Sequence, residues 1–348
     1  MSFELNKILR TCIKNLKPYS SARDEFTGKA DVYLDANENP FNTGLNRYPD
    51  PYQEDLKAKI SKVKNIKSNR IILGNGSDEI IDLIFRAFCE PGLDEVICLP
   101  PTYGMYQVSA DINNVGIKKV LLTPDFEIDE IALEKAIQPN TKIIWFCSPN
   151  NPSGNTLDPE VIKKITNSFN GIIVVDEAYI DFSSSQSWID YLDFHKNLII
   201  MQTFSKAWGL AGLRLGMGFA SPEIISILNK IKPPYNINTL TQEKASEAID
   251  NYEEKNIQVD FILAERKFLA EELQKISAVK HIYPSDANFL LIKIDHAAEI
   301  YDQLVTKSII VRNRSTVALC ESCLRITVGK PEENKILLAA IQSVVKKK

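Results

Sequence analysis

Short apolar runs separated by helical patterns mark the chain from about residue 70 to 220. RIIL (70–73), EVICL (95–99), KKVLL (118–122), IIWFC (143–147), IIVV (172–175), LIIM (198–201) and GMGFA (216–220) mostly lack polar alternation. That is the pattern of strands covered on both faces of a sheet. Between them, DEIIDLIFRAFC (78–89) repeats its apolar residues at helical spacing, and LDPEVIKKITNSF (157–169) predicts a helix opened near Pro159. The predicted class is α/β, with a largely parallel sheet of about seven strands.

After PPYNIN (233–238) the pattern changes. A helical stretch over 252–277 places Ile257, Phe261, Ala264 and Phe268 on one face. It would span about 39 Å, enough to link two domains. HIY (281–283), NFLLIKI (288–294), SIIVR (308–312) and LRITV (324–328) then alternate with two helices, the second near 331–346. These elements predict a smaller α+β domain.

Composition narrows the class without deciding it. A chain of 348 residues with 44% hydrophobic content can bury a sizeable core. Its net charge of -4 implies no general attraction to nucleic acid or anionic membranes. The opening MSFELNKILRTCIKN is amphipathic without a long apolar core, and no stretch approaches the ~20 apolar residues of a membrane span, so the chain reads as cytoplasmic. Six cysteines are scattered, several inside apolar runs, and read as buried free thiols. Cys320 and Cys323 form a CxxC, but zinc needs two further ligands and a redox motif expects a helix start, so a structural role is the expectation. His195, His281 and His296 stand alone, which weighs against a metal hydrolase or a nucleophile–histidine triad.

In an open parallel sheet, ligands gather beyond the carboxyl ends of the strands. After RIIL comes GNGSDE, after IIWFC comes SPNNPSG, after IIVV comes DEAY, and after LIIM comes QTFSK. GNGSDEII places Ser77 and Asp78 where unpaired helix N–H groups favour an anion such as phosphate, although either residue could instead be an N-cap. Lys206 sits in the apolar stretch TFSKAWGLAGLRLG, where loss of hydration lowers an ammonium pKa and suits imine chemistry, although the stretch alone equally fits a surface lysine at the edge of a buried strand. Arg214 can add a charged contact to an anion, with the hydroxyls of Thr203 and Ser205 nearby. Together these point to a phosphorylated aldehyde cofactor, pyridoxal 5′-phosphate. Its protonated ring nitrogen would partner Asp176, a carboxylate leaving a buried strand. Asn151 and Tyr179 are suitable donors to the ring 3-oxygen, and Tyr103 is a candidate stacking ring.

NPSG (151–154), DEAY (176–179) and SKAWGLAGLRLG (205–216) resemble the fold-type I aminotransferases over nearly the whole chain. LKPYSSARDE (16–25), LDANENP (34–40), RYPDP (47–51), SDEIIDLIFRAFCEPG (77–92) and CLRITVG (323–329) are similar, within that fold, to the histidinol-phosphate aminotransferases. The resemblance implies a class II-like enzyme with an N-terminal arm (1–30) joining the small domain, a large PLP-binding domain (31–245), a small C-terminal domain (246–348), and a homodimer with shared active sites. It implies that Lys206 bonds to the cofactor and moves the proton, that Asp176 pairs with the ring nitrogen, and that Asn151 and Tyr179 bind the 3-oxygen. Tyr103 would stack on the ring. The phosphate falls to Ser77, Asp78, Thr203, Ser205 and Arg214, with Tyr48 reaching over from the other subunit. Substrate anions fall to Tyr19, Arg312 and Arg325, while Arg314 is an additional arginine outside the family pattern. The implied reaction converts L-histidinol phosphate and 2-oxoglutarate to imidazole-acetol phosphate and L-glutamate. Aromatic-amino-acid aminotransferases and threonine-phosphate decarboxylase are the alternatives within the fold. A non-catalytic ligand-sensing module is disfavoured by the acidic charge and the presence of Lys206, Asp176 and Arg214.

Overall fold

A strand whose two faces are both apolar is stable only between two covering layers. The computed structural model, which describes residues 3–18 and 30–346, supplies them. Two short helices, α1 (Leu5–Ile8) and α2 (Thr11–Asn15), precede α3 (Glu54–Lys64). The central region follows as β1 (Ile71–Asn75), α4 (Gly76–Phe88), β2 (Glu95–Cys98), α5 (Met105–Ile112), β3 (Gly116–Lys119), α6 (Glu130–Ala136), β4 (Thr141–Cys147), α7 (Pro159–Ser168), β5 (Ile172–Asp176), β6 (Leu198–Thr203) and β7 (Leu215–Ala220). Next come α8 (Pro222–Ile231), α9 (Thr239–Asp250) and α10 (Tyr252–Gln274). The chain closes with β8 (Val279–Ile282), β9 (Phe289–Ile294), α11 (Ala297–Thr306), β10 (Arg312–Asn313), β11 (Cys323–Thr327) and α12 (Pro331–Val345).

The seven-stranded sheet has the order β1-β7-β6-β5-β4-β2-β3. It is parallel throughout except at β7, which runs antiparallel to both β1 and β6. Alternate residues feed opposite cores. Ile173 and Val175 join Leu56, Ile60, Ile162 and Ile165 on one side, whereas Ile172 and Val174 join Phe85, Phe88, Trp145 and Leu228 on the other. On the second face Trp145 stacks between Phe85 (5.5 Å) and Tyr106 (4.8 Å). Each such side chain adds about 1.5–3 kcal/mol by leaving water. A separate four-stranded antiparallel sheet, β10-β11-β9-β8, packs on α10, α11 and α12 around Leu273, Ile292, Ile300 and Ile341.

Four expectations need correction. The stripe Ile257, Phe261, Ala264 and Phe268 is not the packing face of α10. Ile257 is 69% exposed and Phe261 48%, while Val259, Leu269 and Leu273 are buried. The helix meets two bodies in succession: Val259 packs with Tyr179 and Phe182, then Leu269 and Leu273 enter the core of the second sheet. One uniform stripe cannot serve both. KKVLL forms ladder pairs only to Lys119, and strand pairing in SIIVR starts at Arg312, where β11 becomes available as a partner. The segment expected to join the small domain packs elsewhere over its described residues 3–18. Ile8 and Leu9 enter the core beside Phe85, the amide of Arg10 donates to the Ala87 carbonyl (3.1 Å), and Lys230 Nζ donates to the carbonyl of Ile13 (2.7 Å). All of the cysteines are free thiols, and every one except Cys12 is buried. Among the described residues no helix is long and apolar enough to cross a membrane, and no cluster of metal-ligating side chains occurs.

Gly216 in β7 lies against the turn into α4. A Cβ there would sit 2.3 Å from the Ser77 nitrogen and 2.4 Å from the Gly76 carbonyl carbon, both backbone atoms that cannot swing aside. Gly216→Ala is therefore expected to destabilise the protein by about 1–3 kcal/mol. Urea unfolding measures this, and an unchanged midpoint would contradict the close approach.

Candidate active site

The reversed strand decides which residues meet. Because β7 is antiparallel, its first residues lie beside the last residues of β1 and β6, with Leu215 opposite Asn75 and Gly216 opposite Thr203. Arg214, just before β7, is thereby delivered to the same edge as the start of α4 and the loop after β6. Its carbonyl accepts from Gly76 N–H at 2.6 Å. Gly76 has φ +70°, and a Cβ there would meet Arg214 Nη2 at 2.5 Å, so the approach requires glycine.

A cleft of about 770 Å³ opens along this edge. Ser77, Asp78, Tyr103, Asn151, Asp176, Tyr179, Thr203, Ser205, Lys206, Arg214, Arg312 and Arg325 all line it, as does Arg314. Tyr48 does not reach the cleft of its own chain. It is half-exposed, stacks on Tyr235 at 4.6 Å, and borders a separate depression. Tyr19 lies outside the described residues.

Neither Ser77 nor Asp78 caps α4; no side chain caps that terminus, and the Glu79 carboxylate folds back to the Asn75 amide. The first turn thus keeps N–H groups for an anion. Beside it, Arg214 Nη2 lies 3.4 Å from Asp78 Oδ2, and the other Asp78 oxygen accepts from the Tyr103 hydroxyl at 3.0 Å. The Thr203 hydroxyl is engaged within its turn, donating to the Leu215 carbonyl and accepting from Ser205 N–H.

Asp176 ends β5 and is only 2% exposed. Its carboxylate accepts from the Tyr106 hydroxyl at 2.7 Å and from Ala178 N–H at 3.1 Å. Burial pushes it up to about 6 despite these donors. Burial also lowers the Lys206 ammonium, aided by Arg325 and Arg214, and Nζ sits 5.6 Å from the centre of the Tyr179 ring. The Asn151 side-chain oxygen accepts from Arg325 Nη1, which leaves its NH₂ as the donor available to the cleft. At the mouth, Arg312 and Arg325 face each other across the β10–β11 ladder, and Arg314 follows with its Nε buried and unpartnered. None of the three has a carboxylate partner among the described residues. Burial and mutual repulsion accordingly lower Arg314, and burial lowers Arg325.

Tyr106 escaped the sequence reading. It lies one helical turn beyond Tyr103, fully buried against Trp145, and only the fold reveals that it holds Asp176. Cys147 also lines the cleft, but burial raises its thiol to about 12, which makes it inert.

Residues 29–341 match the family model for aminotransferase class I and II. The chain belongs to that family. A histidinol-phosphate aminotransferase of Christiangramia forsetii is 56% identical to this aminotransferase over 344 residues, covering 98% of both chains. Among solved structures, the histidinol-phosphate aminotransferase from Clostridium acetobutylicum superimposes with a TM-score of 0.81 at 25% identity, over 88% of this chain and 92% of that one. The enzyme from Sinorhizobium meliloti in complex with pyridoxal-5′-phosphate shares the fold, with a TM-score of 0.80 at 23% identity over 86% and 83% of the chains.

The buried carboxylates give the ligand-free protein a pH-dependent stability. Asp176 is raised from 3.8 to about 6 and its neighbour Glu177 from 4.5 to about 7, in both cases chiefly by burial. The native state holds these protons more tightly than the unfolded chain. The resulting stabilisation is complete below the unfolded values and is lost as pH rises through 6 to 7. Asp176→Asn should remove its share, roughly 2–3 kcal/mol of the difference. Unfolding midpoints of ligand-free protein between pH 4 and 8 test this, and parallel profiles for wild type and variant would disprove it.

Proposed function

We propose that this chain transfers an amino group from L-histidinol phosphate to 2-oxoglutarate with pyridoxal 5′-phosphate, giving imidazole-acetol phosphate and L-glutamate. One observation carries the reading: three arginines without carboxylate partners among the described residues line the cleft that holds Lys206 and Asp176. Both partner molecules bear an anionic group near the reacting carbon, a phosphate in one and a carboxylate in the other, so one arginine cluster can serve both.

The residues present suit the cofactor. The uncapped start of α4, Arg214 and the Ser205 hydroxyl would hold its phosphate, and Asp176, short of a cationic partner, would hold a proton at the ring nitrogen. Bound there, the cofactor supplies an aldehyde that takes up the amino group and a cationic ring that withdraws electrons from the substrate carbon. Lys206, its ammonium lowered by burial, would be the amine that holds the cofactor and the base that moves the proton at the substrate Cα. Tyr106 keeps Asp176 in place, and Tyr179 with the Asn151 NH₂ would donate to the 3-oxygen. Tyr103 would pack on the ring, and Arg325 and Arg312 would take the substrate anion, with Tyr19 assigned the same role from its motif.

The reading extends to a cytoplasmic homodimer with a large unit over 31–245 and a smaller one over 246–348. Val32, Leu34, Phe41, Leu45 and Leu240 are exposed, and Leu45 and Leu240 border the same depression as Tyr48. A second copy would cover such a surface and bring Tyr48 to the neighbouring phosphate.

Lys206→Ala should abolish turnover, and borohydride reduction followed by peptide mapping should place the cofactor on Lys206; label on another lysine would sink the assignment. Arg325→Ala should slow both half-reactions by about 30-fold or more, since losing a charged partner in a desolvated site costs about 2–5 kcal/mol. Dephosphorylated histidinol should be a far poorer donor in single-turnover assays. Equal rates for histidinol and histidinol phosphate would refute phosphate recognition and favour an aromatic-amino-acid aminotransferase. Sedimentation should give a dimer, and a fully active monomer at the same concentration would overturn the shared-site reading.

A further inference from the structure

On the outer side of the large sheet, α3, α8 and the turn before β1 enclose a second cavity of about 670 Å³ that shares no lining residue with the active-site cleft. Lys57 of α3 lines it and is 6% exposed, yet its ammonium makes no hydrogen bond or ion pair among the described residues. The neighbouring buried lysine is differently placed. Lys232 Nζ donates to the carbonyls of Pro51 (3.0 Å) and Pro233 (3.4 Å) and to Asn236 Oδ1 (2.9 Å). The nearby carboxylate of Asp50 is occupied by the amides of Tyr52 and Glu54. Burial and the charge of Lys232 accordingly pull Lys57 down to about 8, and the fields of Asp50 and Glu54 do not offset them. Glu54 and Asn229 also line the cavity; the Asn229 side-chain oxygen, an acceptor, has no partner among the described residues, and its NH₂ is the group able to donate to an anion.

A buried cation without a counterion is costly, and one beside an open cavity can be neutralised by a ligand. We propose that this cavity binds a small oxyanion, a phosphate or carboxylate group, which pairs with Lys57 and is hydrogen-bonded by Ser68, Ser226 and Asn229. The site has a mechanical address as well. Lys57 lies one turn into α3, directly after the loop that carries Tyr48, and Lys232 fixes that loop through the Pro51 carbonyl. A bound anion therefore stiffens the base of the loop from behind, independently of what occupies the cleft.

Thermal unfolding of the PLP-loaded enzyme, titrated with inorganic phosphate or with acetate at constant ionic strength, tests the site. Wild type should show a rise in Tm that grows with the logarithm of the anion concentration above Kd, about 2 °C at tenfold excess. Arg325→Ala, which disrupts the anion cluster of the cleft, should keep that rise. Lys57→Met should lose it, and without added anion should be more stable than wild type because the lone buried charge is gone. The anion giving the larger rise identifies the ligand class. The same phosphate-dependent rise in Lys57→Met as in wild type would overturn the proposal. So would loss of the rise in Arg325→Ala alone, which would locate the anion in the cleft. Should Lys57→Met fail to fold, Asn229→Ala keeps the charge and should weaken phosphate binding several-fold; unchanged affinity there would equally overturn the site.

Discussion

β7 runs against its neighbours, and that reversal brings the residue before it to the edge where β1, β4, β5 and β6 end. The Gly76–Arg214 backbone hydrogen bond locks the junction, and two glycines, Gly76 and Gly216, make room for it. Without the reversal Arg214 would emerge at the opposite edge, and the start of α4 would have no guanidinium beside it. The contact between Arg214 and Asp78 follows from this arrangement of strands, and Asp176 at the end of β5, with the loops that carry Asn151 and Lys206, lies at the same edge.

The cleft is unfavourable by itself. Asp176 is ionised only at a cost, Lys206 is partly stripped of water, and Arg312, Arg314 and Arg325 repel one another. Such arrangements persist because the surrounding core over-determines them, here the stack of Phe85, Trp145 and Tyr106 behind Asp176. Ligands that bring a cation to Asp176 and an anion to the arginines relieve both defects at once. Binding energy thus comes in part from imbalances already built into the empty protein.

The strands of the large sheet were legible because burial on both faces leaves continuous apolar runs, as in IIVV and LIIM. The active-site loops were legible because each begins where such a run stops. Sequence pattern failed where a residue answers to more than one environment. Ile257 and Phe261 share a helical face, yet α10 changes partners along its length and leaves them outside. SIIVR has strand composition, but pairing depends on where β11 arrives. Tyr106 reads as a core aromatic, which it also is, and its hydroxyl gains meaning only from Asp176 on a strand that enters much later in the sequence. Lys57 carries no local signal at all, since on a polar helix nothing distinguishes a buried lysine from an exposed one.

The way α10 straddles two cores makes it a lever. Its 23 residues form a rod of about 35 Å, seated at Val259 near Tyr179 and at Leu273 within the second sheet. Arg312 and Arg325 ride on that second sheet, whereas Lys206 and Asp176 belong to the first. Pivoting the rod by about 5° about Val259 would carry Leu273, about 21 Å further along, through about 2 Å, enough to break a hydrogen bond. The contact between Arg325 and Asn151 spans the two sheets and latches the lever in its present position. An anion that drew Arg325 away from Asn151 would therefore act on the angle of a helix as well as on a charge, tying the electrostatics of the cleft to its width.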